Sequence, residues 1–147
     1  MCSAEGVFER NLCCPLQPIT RLSVDLHVPA DAARFTINLY KDEKNILCHF
    51  DPRINYGTSV SLTVCNVMQN GEWGIEDRFG GEEYPFPFTP GGEYTVAFEF
   101  EENEFVVFVN DSPYIRFKCR EPFKLQEITS IKVLTADVSM VKAMKVL

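Results

Sequence analysis

No stretch of this chain approaches the roughly 18 apolar residues that a membrane-spanning helix requires. Its opening, Met1-Cys-Ser-Ala-Glu-Gly-Val-Phe-Glu-Arg10, has an early acid and no uninterrupted apolar segment of the secretory kind. A soluble cytoplasmic protein with no membrane insertion is expected. Positive charge is scarce as well: 14 Lys and Arg stand against 21 Asp and Glu, a formal net charge of -7. That balance repels phosphate backbones, and no basic stripe interleaved with aromatics offsets it, so nucleic acid is not an expected partner. Zinc-type spacing is missing too. The six cysteines, at 2, 13, 14, 48, 65 and 119, form no C-x-x-C pair and no Cys/His cluster. Cys13 and Cys14 are adjacent and too close for an ordinary bridge. Reduced thiols, no metal and no cofactor are the expectation.

What is present suits a core. Hydrophobic residues make up 46% of the 147, and Phe alone occurs 12 times. That length and composition predict one compact domain. Residues 1–15, which end in Cys13-Cys14-Pro15, read as an arm leading into the domain or covering an edge; the domain itself is expected over 16–147.

From residue 22 onward, short segments alternate apolar with polar. Strands are predicted over 22–28, 34–40, 46–50, 59–65, 94–100, 104–109, 114–118, 128–133 and 138–141. Asn70-Gly71, Gly80-Gly81, Pro90-Gly91-Gly92 and Asn110-Asp111-Ser112-Pro113 punctuate them as turns. With no helical period between them, an all-β fold of two antiparallel sheets packed as a sandwich is predicted. The sequon Asn110-Asp111-Ser112 reads as one of these turns, not as a glycosylation site.

Polar side chains then recur where burial would be expected, from His49 to Arg78. In His49-Phe50-Asp51-Pro52-Arg53, period-two geometry puts His49, Asp51 and Arg53 on one face and Phe50 on the other. Pro52 cannot donate to a ladder, which predicts a sheet margin or bulge and an open groove. In Trp73-Gly74-Ile75-Glu76-Asp77-Arg78, Glu76 and Arg78 share a face just after the single tryptophan, and Asn66 closes the preceding strand. A flat aromatic face that receives the C–H patch of a pyranose, ringed by Arg, Asn, His and carboxylate groups for its hydroxyls, is what a sugar requires. The plainer reading has a core tryptophan, a structural histidine and surface ion pairs worth under about 1 kcal/mol each. Spacing alone leaves both readings open.

The string His49-Phe50-Asp51-Pro52-Arg53, followed by Val64-Cys65-Asn66 and by Trp73-Gly74-Ile75-Glu76-Asp77-Arg78, closely resembles the galectin sugar-binding signature, H-F-N-P-R, V-x-N, W-G-x-E-x-R. The likeness runs outward through Phe86-Pro-Phe-x-Pro90-Gly91 and Val109-Asn110-Asp111 with Phe117 and Arg120, and covers nearly everything from about Leu16. It implies a galectin-type jelly-roll sandwich and a β-galactoside-binding lectin with no catalytic residue. The implied carbohydrate-binding set is His49, Asp51, Arg53, Asn66, Trp73, Glu76 and Arg78. His49 and Arg53 would bond the axial 4-hydroxyl of galactose, Asn66 and Glu76 the 6-hydroxyl, and Trp73 would stack. Arg53 and Glu76 would reach the 3-hydroxyl of the next sugar in lactose or N-acetyllactosamine, with Arg78 orienting the acid. The resemblance further implies a homodimer that cross-links glycans, and export from the cytoplasm by a non-classical route.

Two positions depart from the pattern. Asp51 replaces the usual Asn, exchanging a donor and an acceptor for an acceptor alone. On that ground Asp51→Asn is expected to strengthen or broaden galactoside recognition. The alternative is a galectin-related structural or protein-interaction domain in which Asp51 has weakened or abolished sugar binding. The stretch Phe79-Gly-Gly-Glu-Glu-Tyr84 is also longer than its galectin counterpart, and is expected to extend specificity or partly cover the groove. A glycosidase using Asp51 and Glu76 is disfavoured, because each lies two residues from an arginine and neither is set up as a proton donor.

Overall fold

The computed structural model describes residues 7–12, 21–120 and 127–144. Cys2, Cys13, Cys14 and the expected boundary at 15/16 lie outside them. The strands are β1 (Val7–Asn11), β2 (Arg21–His27), β3 (Thr36–Asp42), β4 (Asn45–Tyr56), β5 (Ser59–Gln69), β6 (Glu72–Trp73), β7 (Asp77–Phe79), β8 (Glu93–Glu101), β9 (Glu104–Val109), β10 (Ser112–Lys118), β11 (Ser130–Leu134) and β12 (Asp137–Met144). Every pairing is antiparallel. One sheet has seven strands in the order β1-β11-β3-β4-β5-β6, with β7 pairing on β5, and the other has five in the order β10-β9-β8-β2-β12. The predicted two-sheet sandwich is therefore the observed fold.

Each predicted strand is present, several longer than alternation alone suggests. Three strands went unpredicted. β1 falls in the stretch read as an arm and pairs with β11, Phe8 opposite Val133, so residues 7–11 form the edge of the seven-stranded sheet. β6 and β7 have two and three residues, too few for a periodicity to show. The hairpin chemistry follows the sequence. Asn70 and Gly71, between β5 and β6, have φ of 53° and 82°, and Asn110 and Asp111, between β9 and β10, have 50° and 67°. Both pairs adopt the left-handed geometry that suits the twist of a tight hairpin. The Asn110 side-chain oxygen also accepts the Thr95 N–H at 2.9 Å, which ties that turn to β8.

Ile37 and Leu39 of β3, Phe50 of β4, and Cys65 and Val67 of β5 point inward. They meet Leu22, Val24 and Leu26 of β2, Val96 and Phe98 of β8, and Phe105 and Val107 of β9. Phe50 and Phe98 join the two sheets edge to face, with centroids 5.7 Å apart. Cys48 and Cys65 belong to this core, and burial pushes both thiols well above their ordinary range. Among the described residues no buried side-chain polar atom lacks a hydrogen-bond partner.

Phe88, in the loop between β7 and β8, is the hub of the aromatic packing. Its ring contacts those of Phe35, Phe50, Phe86, Tyr94 and Tyr114 at centroid distances between 4.9 and 6.3 Å. Tyr84 of the same loop packs on Phe79 at 5.1 Å, drawing the loop toward the core side of the sheet. Phe88→Ala is expected to lower the unfolding free energy by about 3–5 kcal/mol, the usual cost of emptying a buried phenylalanine site. Urea denaturation checks this, and a loss below about 1 kcal/mol would contradict the role given to Phe88.

Candidate functional site

The face of the seven-stranded sheet turned away from the core carries the polar residues. Register sets their positions: Asn38 lies opposite His49 and His49 opposite Asn66, so one row crosses β3, β4 and β5. Asp51 lies opposite Val64, which is itself opposite Arg78 on β7. Trp73 stands on β6 at the sheet edge opposite Met68, and Glu76 sits in the link from β6 to β7. All seven sequence-predicted site residues therefore share one region.

Pro52 fits a more specific arrangement than a sheet margin. β4 is an interior strand, but Thr36 begins β3, and beyond it pairing is reduced to an isolated bridge between Arg34 and Arg53. At that point Pro52 contributes only its carbonyl, which accepts the Phe35 N–H at 3.1 Å. A residue without an N–H is tolerated because the ladder there is already irregular.

Trp73 is 49% exposed, so the core placement that base rates favour for a single tryptophan does not hold. Its ring meets that of His49 with centroids 4.7 Å apart and planes at 60°. His49 Nδ1 lies 2.7 Å from Asn38 Oδ1; since that oxygen can only accept, Nδ1 carries the proton. Nε2 is then left as the acceptor of the ring. Burial holds the imidazole below its ordinary pKa, as do Arg34 and Arg53 to a smaller extent, while Asp51 and Glu76 oppose the shift. The neutral ring therefore prevails at neutral pH. His49 therefore presents a lone pair at Nε2.

Asn66 is buried and anchored on both sides. Its Nδ2 donates to the Gly74 carbonyl at 3.0 Å, and its Oδ1 accepts from Val67 N–H at 2.8 Å and from Arg120 Nη1 at 3.2 Å. Arg120 Nη2 also pairs with Asp77 at 2.9 Å, joining the segment just after β10 to the start of β7. Gly74 allows a close approach: a Cβ there would lie 3.0 Å from Arg120 Nη1 and 3.1 Å from Asn66 Oδ1, so those side chains would have to give by a few tenths of an ångström.

At the other end, Glu76 Oε1 accepts from Arg78 Nη1 at 2.8 Å, and its Oε2 lies 3.8 Å from Arg53 Nη2. Ser59 Oγ accepts from both Arg53 Nη1, at 3.3 Å, and Arg78 Nη2. The side chains of Glu76 and Arg78 are each 44% exposed, so the loop after Phe79 leaves these two open to solvent. Asp51 differs from its predicted placement. Its side chain is fully enclosed, accepting from Thr36 Oγ1 at 2.8 Å, Arg53 Nε at 2.9 Å and Arg34 Nη1 at 3.4 Å. It lies beneath the groove and meets the site through Arg53.

Sequence reasoning missed Arg34, Asn38, Tyr56 and Ser59. Arg34 and Arg53 approach the Tyr56 ring at 4.1 and 5.2 Å, enough for cation–π attraction. A signal for two of them was available. Arg34, Thr36, Asn38 and Tyr40 form a polar period-two series in a segment predicted to be a strand, matching the series at 49, 51 and 53. Ser59 and Tyr56 have no such signal, because their positions depend on how β4 turns into β5.

The galactoside-binding lectin family profile matches residues 7–143. Galectin-1 of Ovis aries is 36% identical over 115 residues, covering 78% of this chain and 81% of the relative. The 16 kDa beta-galactoside-binding lectin of Gallus gallus is 30% identical over 118 residues, covering 80% and 83%. Among solved structures, Xenopus laevis galectin-Ib superposes with a TM-score of 0.81 at 27% identity, covering 94% of this chain and 99% of that one. CG-16, a homodimeric agglutinin from chicken liver, gives 0.80 at 26% with the same coverage. The toad ovary galectin solved with thio-digalactose shares the fold, with a TM-score of 0.82 at 23% identity over 96% and 100% of the two chains. Sheet order, groove and likeness agree: the chain belongs to the galactoside-binding lectin family, the galectins.

Proposed function

We propose that this protein is a β-galactoside-binding lectin that takes the terminal galactose of lactose- or N-acetyllactosamine-type glycans on glycoproteins or glycolipids and does no chemistry on it. The observation that carries this reading is the half-exposed Trp73 standing beside a neutral His49 whose Nε2 accepts, with Arg53, Asn66 and Glu76 on the same sheet face. The axial 4-hydroxyl of galactose donates to His49 Nε2 and accepts from Arg53. The 6-hydroxyl meets Glu76 and the second amide hydrogen of Asn66, and Trp73 covers the apolar face of the ring. Arg78 steers Glu76 toward the 3-hydroxyl of the following sugar, which Arg53 also reaches. Hydrolysis is not proposed, because Asp51 lies enclosed under the arginines and Glu76 bridges Arg78 and Arg53. On the same reading two copies pair, and their two grooves cross-link glycans by avidity. The protein then works in the cytoplasm and, after export outside the classical secretory route, on extracellular glycans.

Retention on immobilised lactose and elution by free lactose test the reading directly; flow-through of folded protein would remove it in favour of a structural relative. Lactose and cellobiose differ only at C4 of the terminal sugar, and the equatorial hydroxyl leaves His49 and Arg53 without their partner. Cellobiose is expected to bind at least about tenfold more weakly, since each unpaired group costs about 1–3 kcal/mol. Equal affinities by calorimetry would contradict the assignment of the 4-hydroxyl.

Trp73→Ala is expected to weaken lactose by about tenfold or more, for a stacking loss near 1.5 kcal/mol, while leaving the unfolding midpoint close to wild type because the ring is half in water. A variant that binds as tightly as wild type would show that the tryptophan is not the platform.

The histidine sets a pH dependence. Binding uses the unprotonated Nε2, and the imidazole pKa lies below its ordinary value of about 6.5. Affinity should hold steady above about pH 6.5 and fall as acid protonates the ring, by up to about tenfold per pH unit. Lactose affinity that does not fall as the His49 ring protonates, followed by its imidazole NMR signals over the same acid titration, would contradict the acceptor role of His49.

A further inference from the structure

Arg34, Arg53 and Arg78 crowd one end of the groove against two carboxylates, Asp51 and Glu76. Glu76 sits above this cluster, half exposed, whereas Asp51 sits within it and has no exposure. All three groups around Asp51 are donors: the Thr36 hydroxyl to Oδ1, and Arg53 Nε and Arg34 Nη1 to Oδ2. An amide in the same place could turn its NH2 to the Thr36 hydroxyl, which accepts as well as donates, but it would meet Arg53 and Arg34 with one neutral oxygen in place of a charged one. It would also leave three guanidinium groups facing one carboxylate.

We infer that Asp51 is a positioning residue: its carboxylate, whose Oδ2 also meets Arg34, fixes Arg53 by the Nε edge so that the Nη end of Arg53 is presented to the ligand and to Glu76. Tyr56 completes the clamp, with its ring flanked by both arginines. Arg53 Nη1 rests on Ser59 Oγ, and Nη2 faces Glu76. A guanidinium held along one edge loses little freedom when it meets a sugar hydroxyl, which is how a fixed donor favours binding. The inference rests on the galactoside reading for its functional consequence. It reverses the effect expected from the amide pattern: in this chain the carboxylate supplies the charge that the surrounding guanidinium groups require, so Asp51→Asn weakens binding.

Ser59 provides the test, because its hydroxyl touches both Arg53 and Arg78 and a carboxylate there would restore the lost charge at the same guanidinium. Lactose affinity and thermal midpoint are measured for the wild type, Asp51→Asn, Ser59→Asp and the double variant. Asp51→Asn is expected to weaken lactose by at least about tenfold, and the double variant to recover to within about threefold of wild type. A folded Asp51→Asn that binds as tightly as wild type overturns the inference. So does a folded double variant that fails to recover, since a merely structural role would not be rescued through Ser59. Where Asp51→Asn does not fold, the sugar-free wild type decides. The Arg53 Nε–H resonance, assigned by its loss in Arg53→Lys, is expected to be protected from solvent exchange, and rapid exchange overturns the inference. Failure of the wild type to bind lactose removes the lectin reading alone, because that resonance still reports whether Asp51 holds Arg53.

Discussion

The long antiparallel pairing of β4 with β5 is the constraint on which the rest depends. Successive side chains of a strand point to opposite faces, so these two strands must satisfy a core and a groove in alternate positions. Phe50 and Cys65 face each other inward, and His49 and Asn66 face each other outward one step along. A slip of one residue would turn the imidazole into the core and expose the phenylalanine. The aromatic packing that selects this register therefore also places the groove: Phe50 against Phe98 and Phe88 holds His49 and Asp51 where they are.

The polar face resolves into coupled pairs, each fixing the next. Asn38 sets the tautomer of His49, and His49 abuts Trp73. Asn66 is held by Gly74 and Arg120, and Glu76 by Arg78. Asp51 holds Arg53 from below. Groups anchored through one atom while another remains available have already lost most of their rotamer freedom, which lowers the entropic cost of meeting a ligand. Trp73 and Arg78 remain open to solvent on the same face, so the site is preorganised without being closed.

Alternation and turn residues made the fold class legible, because strands buried on one face must alternate and tight hairpins need residues such as Asn70-Gly71. The short strands β6 and β7 and the edge strand β1 were not legible: two to five residues carry no periodicity, and their pairing is decided by the strands beside them. Polar side chains at strand spacing in otherwise buried segments are costly without a shared purpose, which singled out the series at 49, 51 and 53, but the seven residues were gathered as a set by the resemblance to the galectin signature.

What each residue does there was a matter for the tertiary structure. The sequence by itself determined that His49, Asp51 and Arg53 lie on one face, because period two is a property of the strand. It could not determine that Asp51 sits below that face and His49 accepts, because both depend on partners distant along the chain. Arg34 and Thr36 reach Asp51 from 17 and 15 residues away, and Asn38 reaches His49 from 11. Hydrogen bonds and ion pairs act through space, so the choice between ligand contact and hidden support was made only when β3 paired with β4.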